Sequence, residues 1–542
     1  MPSSPFTRFI PALVFVITGA LFSSAIDGDF VDYDDWQYIF DARTQRGLSL
    51  ENLRVAFTET LSANYHPLTW LSHMADMELF GPEPRAHHFV NVLFHAANGA
   101  LVSILLLRLG AAPLSSFLLA CFFALHPLRV ESVAWVAERK DILCGFFYLL
   151  ALILWIDQRR RYSFFFTILA LLSKPMAVSL PVAFLLYDIL VCRRGKSALL
   201  AAVPTGIAAA VLSVVTIIAQ HDALQPAGNI PLSLRLETSA VSAVFSYAAN
   251  TISPGCMHIL YPYQESWPTW KVATSLLVFM LLLMAILLGT RKSAGEGNRL
   301  ASFGLSWAIA SFLPVSGIIM VGVAAAADRY TYLPTLGVLV ATIPLLNPIL
   351  VKRPVVFLVL AAIVVRCAVL THAQIATWRS TETLLAHALM CEPDNAHLLV
   401  QSANIDVERG DLVAARTKLQ HATRLRPGLT EAWATAGIVA TREQAWANAA
   451  EYWVEVLSLD PTSSLGHLGL SLALFGLGNT SAGVREFDLA GDFAGGSVRD
   501  LNVLLAGFVH LQLPKQIETV HAGHERAVRR MVHLRESRRP AP

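Results

Sequence analysis

Long apolar runs separated by short clusters of charge fill the chain as far as Thr371. A helix crosses ~30 Å of hydrocarbon with ~20 residues, and runs of about that kind fall at 9–26, 89–109, 111–126, 142–158, 162–174, 175–192, 198–219, 270–290, 300–320, 331–350 and 354–372. They predict about eleven transmembrane helices. The two runs that meet at Lys174 and Pro175 are short. A further stretch, 236–253, carries Ser, Thr, Tyr and Asn along its length. It reads as an interfacial or re-entrant helix rather than a span. Arg8 before the first run and Ser23, Ser24 and Ala25 at its end resemble a cleavable signal, but the spans that follow favour an uncleaved first helix.

After Thr371 the continuous runs give way to a repeat. Pro393, Pro427 and Pro461 are spaced by 34 residues, the tetratricopeptide period. One unit carries Leu399, Ala403, Gly410, Ala415, Leu419 and Ala422; the next carries Trp433, Gly437, Ala449, Trp453 and Val456; a weaker third carries Gly469, Leu474, Gly478, Phe487 and Ala490. Small residues at these offsets let the two helices of a hairpin pack closely, and the aromatic positions fill the gap to the next hairpin. The expected fold is all-α: a polytopic helical membrane domain at 1–372, an α-solenoid of about three repeats at 373–495, and a helical tail with a frayed, arginine-rich end at 496–542.

Composition strengthens the membrane reading. Of 542 residues, 55% are hydrophobic and only 15% charged, with a mean hydropathy of +0.53; soluble domains carry about one quarter charged residues. A net charge of +2 gives no sign of a nucleic-acid partner. Lys and Arg collect in short cytoplasmic loops. Arg8, Arg108, Arg159, Arg160, Arg161, Arg193, Arg194, Lys196, Arg291, Lys292, Arg299, Lys352 and Arg353 fall on one side if 236–253 does not cross. The N-terminus is then cytoplasmic, and 27–88, 127–141, 220–269, 321–330 and everything after 372 lie outside.

The candidate chemistry sits on that outer side. Asp27, Asp29, Asp32, Asp34, Asp35 and Asp41 follow the first run. Asp34 and Asp35 lead directly into Trp36, Tyr38, Ile39 and Phe40, an amphipathic segment suited to the interface. Neighbouring, buried carboxylates raise one another's pKa, as a general base for a weakly acidic hydroxyl requires; a solvated loop is the plainer alternative. His66, His73, His87, His88, His95 and His126 crowd the same side, but without tight metal-ligand spacing they read as satisfied polar residues at helix ends and no metal ligand is assigned. Glu131, Glu138, Arg139, Lys140 and Asp141 lie in one outer loop, and Asp328, Arg329 and Tyr330 in another. Basic residues placed outside run against the orientation trend, and an anionic lipid phosphate would account for them.

The strings Val31 to Trp36 (VDYDDW), Asn64 to Leu71 (NYHPLTWL), His88 to His95 (HFVNVLFH), Leu125 to Asp141 (LHPLRVESVAWVAERKD) and Ala327 to Pro334 (ADRYTYLP), followed by the repeats, resemble the transmembrane and tetratricopeptide-repeat O-mannosyltransferases and their bacterial relatives, in the same order over nearly the whole chain. The resemblance implies a GT-C type glycosyltransferase that moves a monosaccharide, mannose or another hexose, from a polyprenyl-phosphate donor to a Ser or Thr hydroxyl of an exported protein. It makes Asp34 or Asp35 the catalytic base, with Asp34 preferred. Arg139, Lys140 and Arg329 become candidates for the donor phosphate, and His66, Glu138 and Tyr330 for the substrate pocket. It assigns no certain cofactor and leaves a divalent metal possible. Two departures stand out: the family's animal members carry longer repeat arrays, and His66 stands where many relatives have a basic residue before the proline. The short array favours a bacterial inner membrane. The competing readings are a non-catalytic membrane scaffold displaying the repeats to exported proteins, and a transporter, whose ionisable residues would be expected within the spans.

Overall fold

The computed structural model describes residues 5–41, 44, 47–60, 64–219, 230–319, 324–353 and 355–493; the expected helical tail lies outside them. They form two compact units, one ending at Leu384 and the other starting at Leu385.

In the first unit every predicted apolar run coincides with a helix over at least part of its length. Six of the described helices are long and apolar enough to cross a membrane: Thr7–Asp27, Pro84–Arg108, Lys196–Ala219, Thr269–Thr290, Asp328–Lys352 and Val355–Thr377. A seventh is possible if Pro113–Ala124 and Pro127–Ala134, bent by 55°, make one broken span. The runs at 142–158, 162–174 and 175–192 correspond to the shorter segments Arg139–Ile156, Arg160–Ser173 and Pro175–Val191. Apolar side chains such as Leu276, Met280, Leu283 and Leu287 point outward from the Thr269–Thr290 helix, as on a lipid-facing surface.

Two expectations need correction. The run at 300–320 is helical only over Glu296–Phe312, followed by a tight turn at Leu313–Val315, because Pro314 cannot continue the backbone ladder. The outer loop at 127–141 is no surface loop. It folds as short helical turns, Pro127–Arg129, Val130–Ala134 and Val136–Glu138, and residues 127–141 are buried throughout. The stretch 236–253 lies within a continuous helical run from Leu232 to Ile252 that contains a π-helical segment at Ser242–Ala248.

Packing between the helices relies on small residues, which let backbones approach where lipid supplies no hydrophobic drive. A β-carbon on Gly304 would stand 2.5 Å from the Gly337 carbonyl oxygen, and one on Gly337 would stand 2.5 Å from that of Gly304. Helices Glu296–Phe312 and Pro334–Lys352 therefore touch backbone to backbone. A two-stranded antiparallel pair, Tyr261–Pro262 with Ala324–Ala326, joins two segments between long helices.

The second unit holds three helical hairpins in register with the prolines: Ala396–Arg409 with Leu412–Leu425, Thr430–Arg442 with Trp446–Leu459, and Ser464–Gly476 with Thr480–Phe493. Asn395, Asp411 and Ser463 accept backbone N–H bonds from residues in the first turn of three of these helices, relieving donors that a helix start leaves unpaired. Trp453 is the keystone. It is buried, and β-carbons on Gly437 and Gly469 would stand 2.6 and 2.1 Å from its ring. Gly469→Ala is expected to destabilise the repeats by about 1–3 kcal/mol, seen as a lower thermal midpoint for the full chain; an unchanged midpoint would show that Trp453 can shift aside.

Candidate functional site

The segment after the first long helix turns at Val31–Asp34 and enters a short helix, Asp35–Ile39. That turn sends the two acidic side chains opposite ways. Asp35 is fully buried; its Oδ2 accepts the Val31 N–H at 2.8 Å and its Oδ1 the Ala137 N–H at 2.7 Å. It fastens the acidic loop to the buried 127–141 segment. Burial lifts its pKa from 3.8 to about 7, against the pull of those two amides. Asp34 occupies the N-cap position without capping the helix, and its side chain is 43% exposed.

Asp34 faces a cavity of about 290 Å³. The cavity is also lined by His66, Glu138, Lys140, Arg329 and Tyr330, all singled out from the sequence, and by Asn64, Lys174 and Tyr263. Pro175, Met176, Pro314 and Val315 form apolar parts of its wall. Two of the predicted site residues are elsewhere. Asp35 lies beneath the surface as described. Arg139 is fully buried and turned away: it bonds Asn91 Oδ1 at 2.7 Å and the His87 carbonyl oxygen at 2.8 Å, and is ion-paired with Asp76. No valence of its guanidinium is aimed at the cavity in these contacts, so it ties helices together.

The charged wall is organised around Glu138. This buried carboxylate sits 3.0 Å from Lys140 Nζ, 3.1 Å from Lys174 Nζ and 3.3 Å from Arg329 Nε. Burial opposes its charge, but Lys140, Lys174 and Arg329 together hold it well below the ordinary glutamate range. Each cation has a second partner: Lys140 lies 3.8 Å from Asp34 Oδ2, Lys174 pairs with Asp141, and Arg329 pairs with Glu131. Arg329 also lies over the rings of Trp135 and Tyr330, at 5.3 and 5.1 Å. The cavity itself is lined by three cations and two carboxylates. A wall of that kind can receive one more anion through charge-assisted bonds.

His66 is buried beside this wall. Burial, with Lys140 and Lys174 nearby, keeps its pKa well below 6.5, so it is a neutral ring. It shares a 2.9 Å hydrogen bond with the Tyr38 hydroxyl, and Tyr38 stacks on Trp70. The histidine that stands in place of a basic residue therefore adds a hydrogen-bonding edge and no charge. Lys174 was visible in the sequence only as the break between two short apolar runs; an ionisable residue inside such a run is itself a functional signal. Of the other histidines, His95 bonds the Ala124 carbonyl and Tyr332 hydroxyl, and His126 the Thr251 carbonyl and the Leu128 N–H, so these two are satisfied as expected, whereas His88 bonds the Asp29 carbonyl through Nε2 and leaves Nδ1 without a partner. His73 is different: neither ring nitrogen has a hydrogen-bond partner.

No family model matches the chain. It is 24% identical over 508 residues to protein O-mannosyl-transferase TMTC4 of Homo sapiens, covering 77% of this chain and 66% of that protein. To protein O-mannosyl-transferase TMTC3 of Mus musculus it is 22% identical over 392 residues, 62% of this chain and 41% of that protein. A shorter stretch of 103 residues is 36% identical to protein O-mannosyl-transferase TMTC2 of Homo sapiens, 18% of this chain and 12% of that protein. The chain thus spans slightly under two thirds of the TMTC4 relative and less of the others. Among solved structures, the crystal structure of MamA matches 29% of this chain and 90% of its own at 12% identity, with a TM-score of 0.24.

Proposed function

Given that the curated relatives are protein O-mannosyl-transferases similar over most of the chain, we propose that this protein is a GT-C type membrane glycosyltransferase. It moves a monosaccharide, mannose or another hexose, from a polyprenyl-phosphate carrier to a Ser or Thr hydroxyl of an exported protein. The observation that carries this reading is the single cavity that places one exposed carboxylate, Asp34, beside three cations, Lys140, Lys174 and Arg329, next to apolar wall. A lipid-linked sugar phosphate offers the matching parts: an anion for the cations, an apolar chain, and an anomeric carbon for attack.

In the proposed reaction Asp34 takes the acceptor hydroxyl proton as the oxygen bonds to C1. The C1–O bond to phosphate breaks with inversion, and its electron pair leaves on the phosphate. Lys140, Lys174 and Arg329 offset that growing negative charge, which is worth most in a site sheltered from bulk water. Tyr330 and His66 line the sugar side. We place about eleven spans in the cell membrane, with the N-terminus cytoplasmic and the cavity and repeats outside; the domains divide near residue 372, and the repeats bind the exported acceptor. Support for this orientation comes from the cavity residues, which belong to segments that the charge distribution puts on the outer side or to the ends of spans that meet them.

The test is sugar transfer in membranes supplied with a crude pool of polyprenyl-phosphate sugars and exported protein. Wild type is expected to transfer. Lys174→Met is expected to raise the donor concentration needed by roughly tenfold, as for a lost charge-assisted bond, and to leave acceptor KM unchanged. An active donor pool that yields no transfer by wild type would turn the reading toward a non-catalytic scaffold.

A further inference from the structure

A second cluster lies outside the cavity, where helix Pro67–Phe80 meets the first turn of Pro84–Arg108. His73 and Asp76, three residues apart, share one helix face. The chain turns through Gly81, and His87 comes back against them. One ligand atom from each of His73, Asp76 and His87 can be chosen so that all three lie within 4.8 Å of one another, and all three residues are buried.

Their hydrogen bonding is incomplete in a particular way. His87 Nε2 lies 3.0 Å from the Gly81 carbonyl oxygen, which can only accept. In the neutral ring that bond puts the hydrogen on Nε2 and leaves a lone pair on Nδ1. Nδ1 has no hydrogen-bond partner, yet it stands 3.4 Å from Asp76 Oδ2. A lone pair then faces a carboxylate oxygen in a buried place, an unfavourable contact unless a cation lies between them. His73 adds two buried ring nitrogens without partners, and a neutral imidazole carries a lone pair on one of them. An unpaired buried polar group is destabilising, so a cluster of them calls for something to satisfy it.

We propose that His73, Asp76 and His87 form a transition-metal site, with zinc the best match, that fastens the start of the Pro84–Arg108 helix to Pro67–Phe80. Two imidazoles and one carboxylate are the donor set of zinc and its first-row neighbours; magnesium and calcium favour all-oxygen shells. The supporting contacts have the form usual around such ions. The Gly81 carbonyl fixes the His87 tautomer, and Arg139 holds the Asp76 carboxylate, as outer partners that orient ligands do. Arg139 is the main electrostatic opponent of a cation here. Its charge is shared with Asp76, Asn91 and the His87 carbonyl; the Asp76 oxygen it bonds is Oδ2, the one that faces His87, and a carboxylate oxygen that accepts one hydrogen bond keeps a further lone pair. The rival arrangement is a doubly protonated His87 paired with Asp76, which needs no metal.

Metal content decides between them, whether or not the chain transfers sugar. The full chain is expressed in zinc-supplemented medium, purified in detergent, washed with chelator and analysed by mass spectrometry. Wild type is expected to retain roughly one zinc per chain. His73→Gln and His87→Gln are expected to fall at least fivefold, and His126→Gln to stay at the wild-type level. Less than a tenth of an equivalent in wild type, or equal content in all variants, overturns the proposal. If the two variants do not fold, cobalt-loaded wild type replaces them. Visible bands of nitrogen and oxygen ligation support the site, and intense near-ultraviolet thiolate bands would place the metal on cysteine and overturn it.

Discussion

Asp34→Asn is expected to lower sugar transfer by about 10²–10⁴-fold, the usual contribution of a positioned general base, while leaving the thermal midpoint within the range of a neutral surface change. Asp34 makes no capping bond and is partly exposed, so the fold gains little from it. Asp35→Asn is expected to do the reverse. Its two oxygens accept the Val31 and Ala137 amides in a buried place; an Asn amide group must turn an N–H toward one of those donors, at about 1–3 kcal/mol of stability. Residual transfer in Asp35→Asn should then track the folded fraction. The pH dependence separates the two further. The folded chain holds the Asp35 proton more tightly than an unfolded one, since burial lifts its pKa from 3.8 to about 7. That contribution to stability is complete below the lower value and disappears as pH rises through the higher one. The wild-type midpoint should therefore fall between about pH 4 and pH 7 by a component that Asp35→Asn lacks. Transfer retained by Asp34→Asn but lost by a folded Asp35→Asn would reverse the assignment of the base.

Adjacent acidic residues are easy to see in a sequence and hard to tell apart. Their roles here depend on where the chain turns, because the turn at Val31–Asp34 comes just before the helix and sends Asp35 inward. The apolar runs were legible because span length is a one-dimensional property, and the repeats because a period of 34 needs no tertiary information. The buried course of 127–141 was not, since its charges suggested solvent. Glu138, Lys140 and Asp141 can be buried because the partners that compensate them come from distant positions, Lys174 and Arg329. Arg139 illustrates the same limit. It is adjacent to Lys140 in sequence but sits on the other side of the helix start, where Asp76 and Asn91 receive it. His73 resembled its satisfied neighbours for want of the same information: only the fold shows that no donor or acceptor reaches its ring.

Glu138→Gln is expected to cause the largest loss of stability among the cavity variants, about 3–5 kcal/mol, as when one partner of a buried ion pair is removed. The reason is its position among three cations. Without its charge Lys174 still has Asp141 and Arg329 still has Glu131, but Lys140 keeps the more distant Asp34, at 3.8 Å, the Tyr38 hydroxyl, at 3.5 Å, and the faces of the Tyr38 and Trp135 rings. Three positive groups would then repel one another in a poorly screened place. The cations hold the Glu138 carboxyl well below its ordinary range, so its contribution is present above the unfolded value of 4.5 and is lost only as pH falls through the depressed one. The gap between wild type and Glu138→Gln should accordingly stay level from about pH 5 to pH 7, where the Asp35 component is still changing. A second consequence distinguishes an anion site from a purely structural knot. If the cations receive a donor phosphate, inorganic phosphate should raise the midpoint of Glu138→Gln more than that of wild type, because the released charge needs a partner. Equal shifts in the two proteins, with the stability loss intact, would show that Glu138 only holds the outer segments together, and would remove Lys140, Lys174 and Arg329 from the proposed donor contacts.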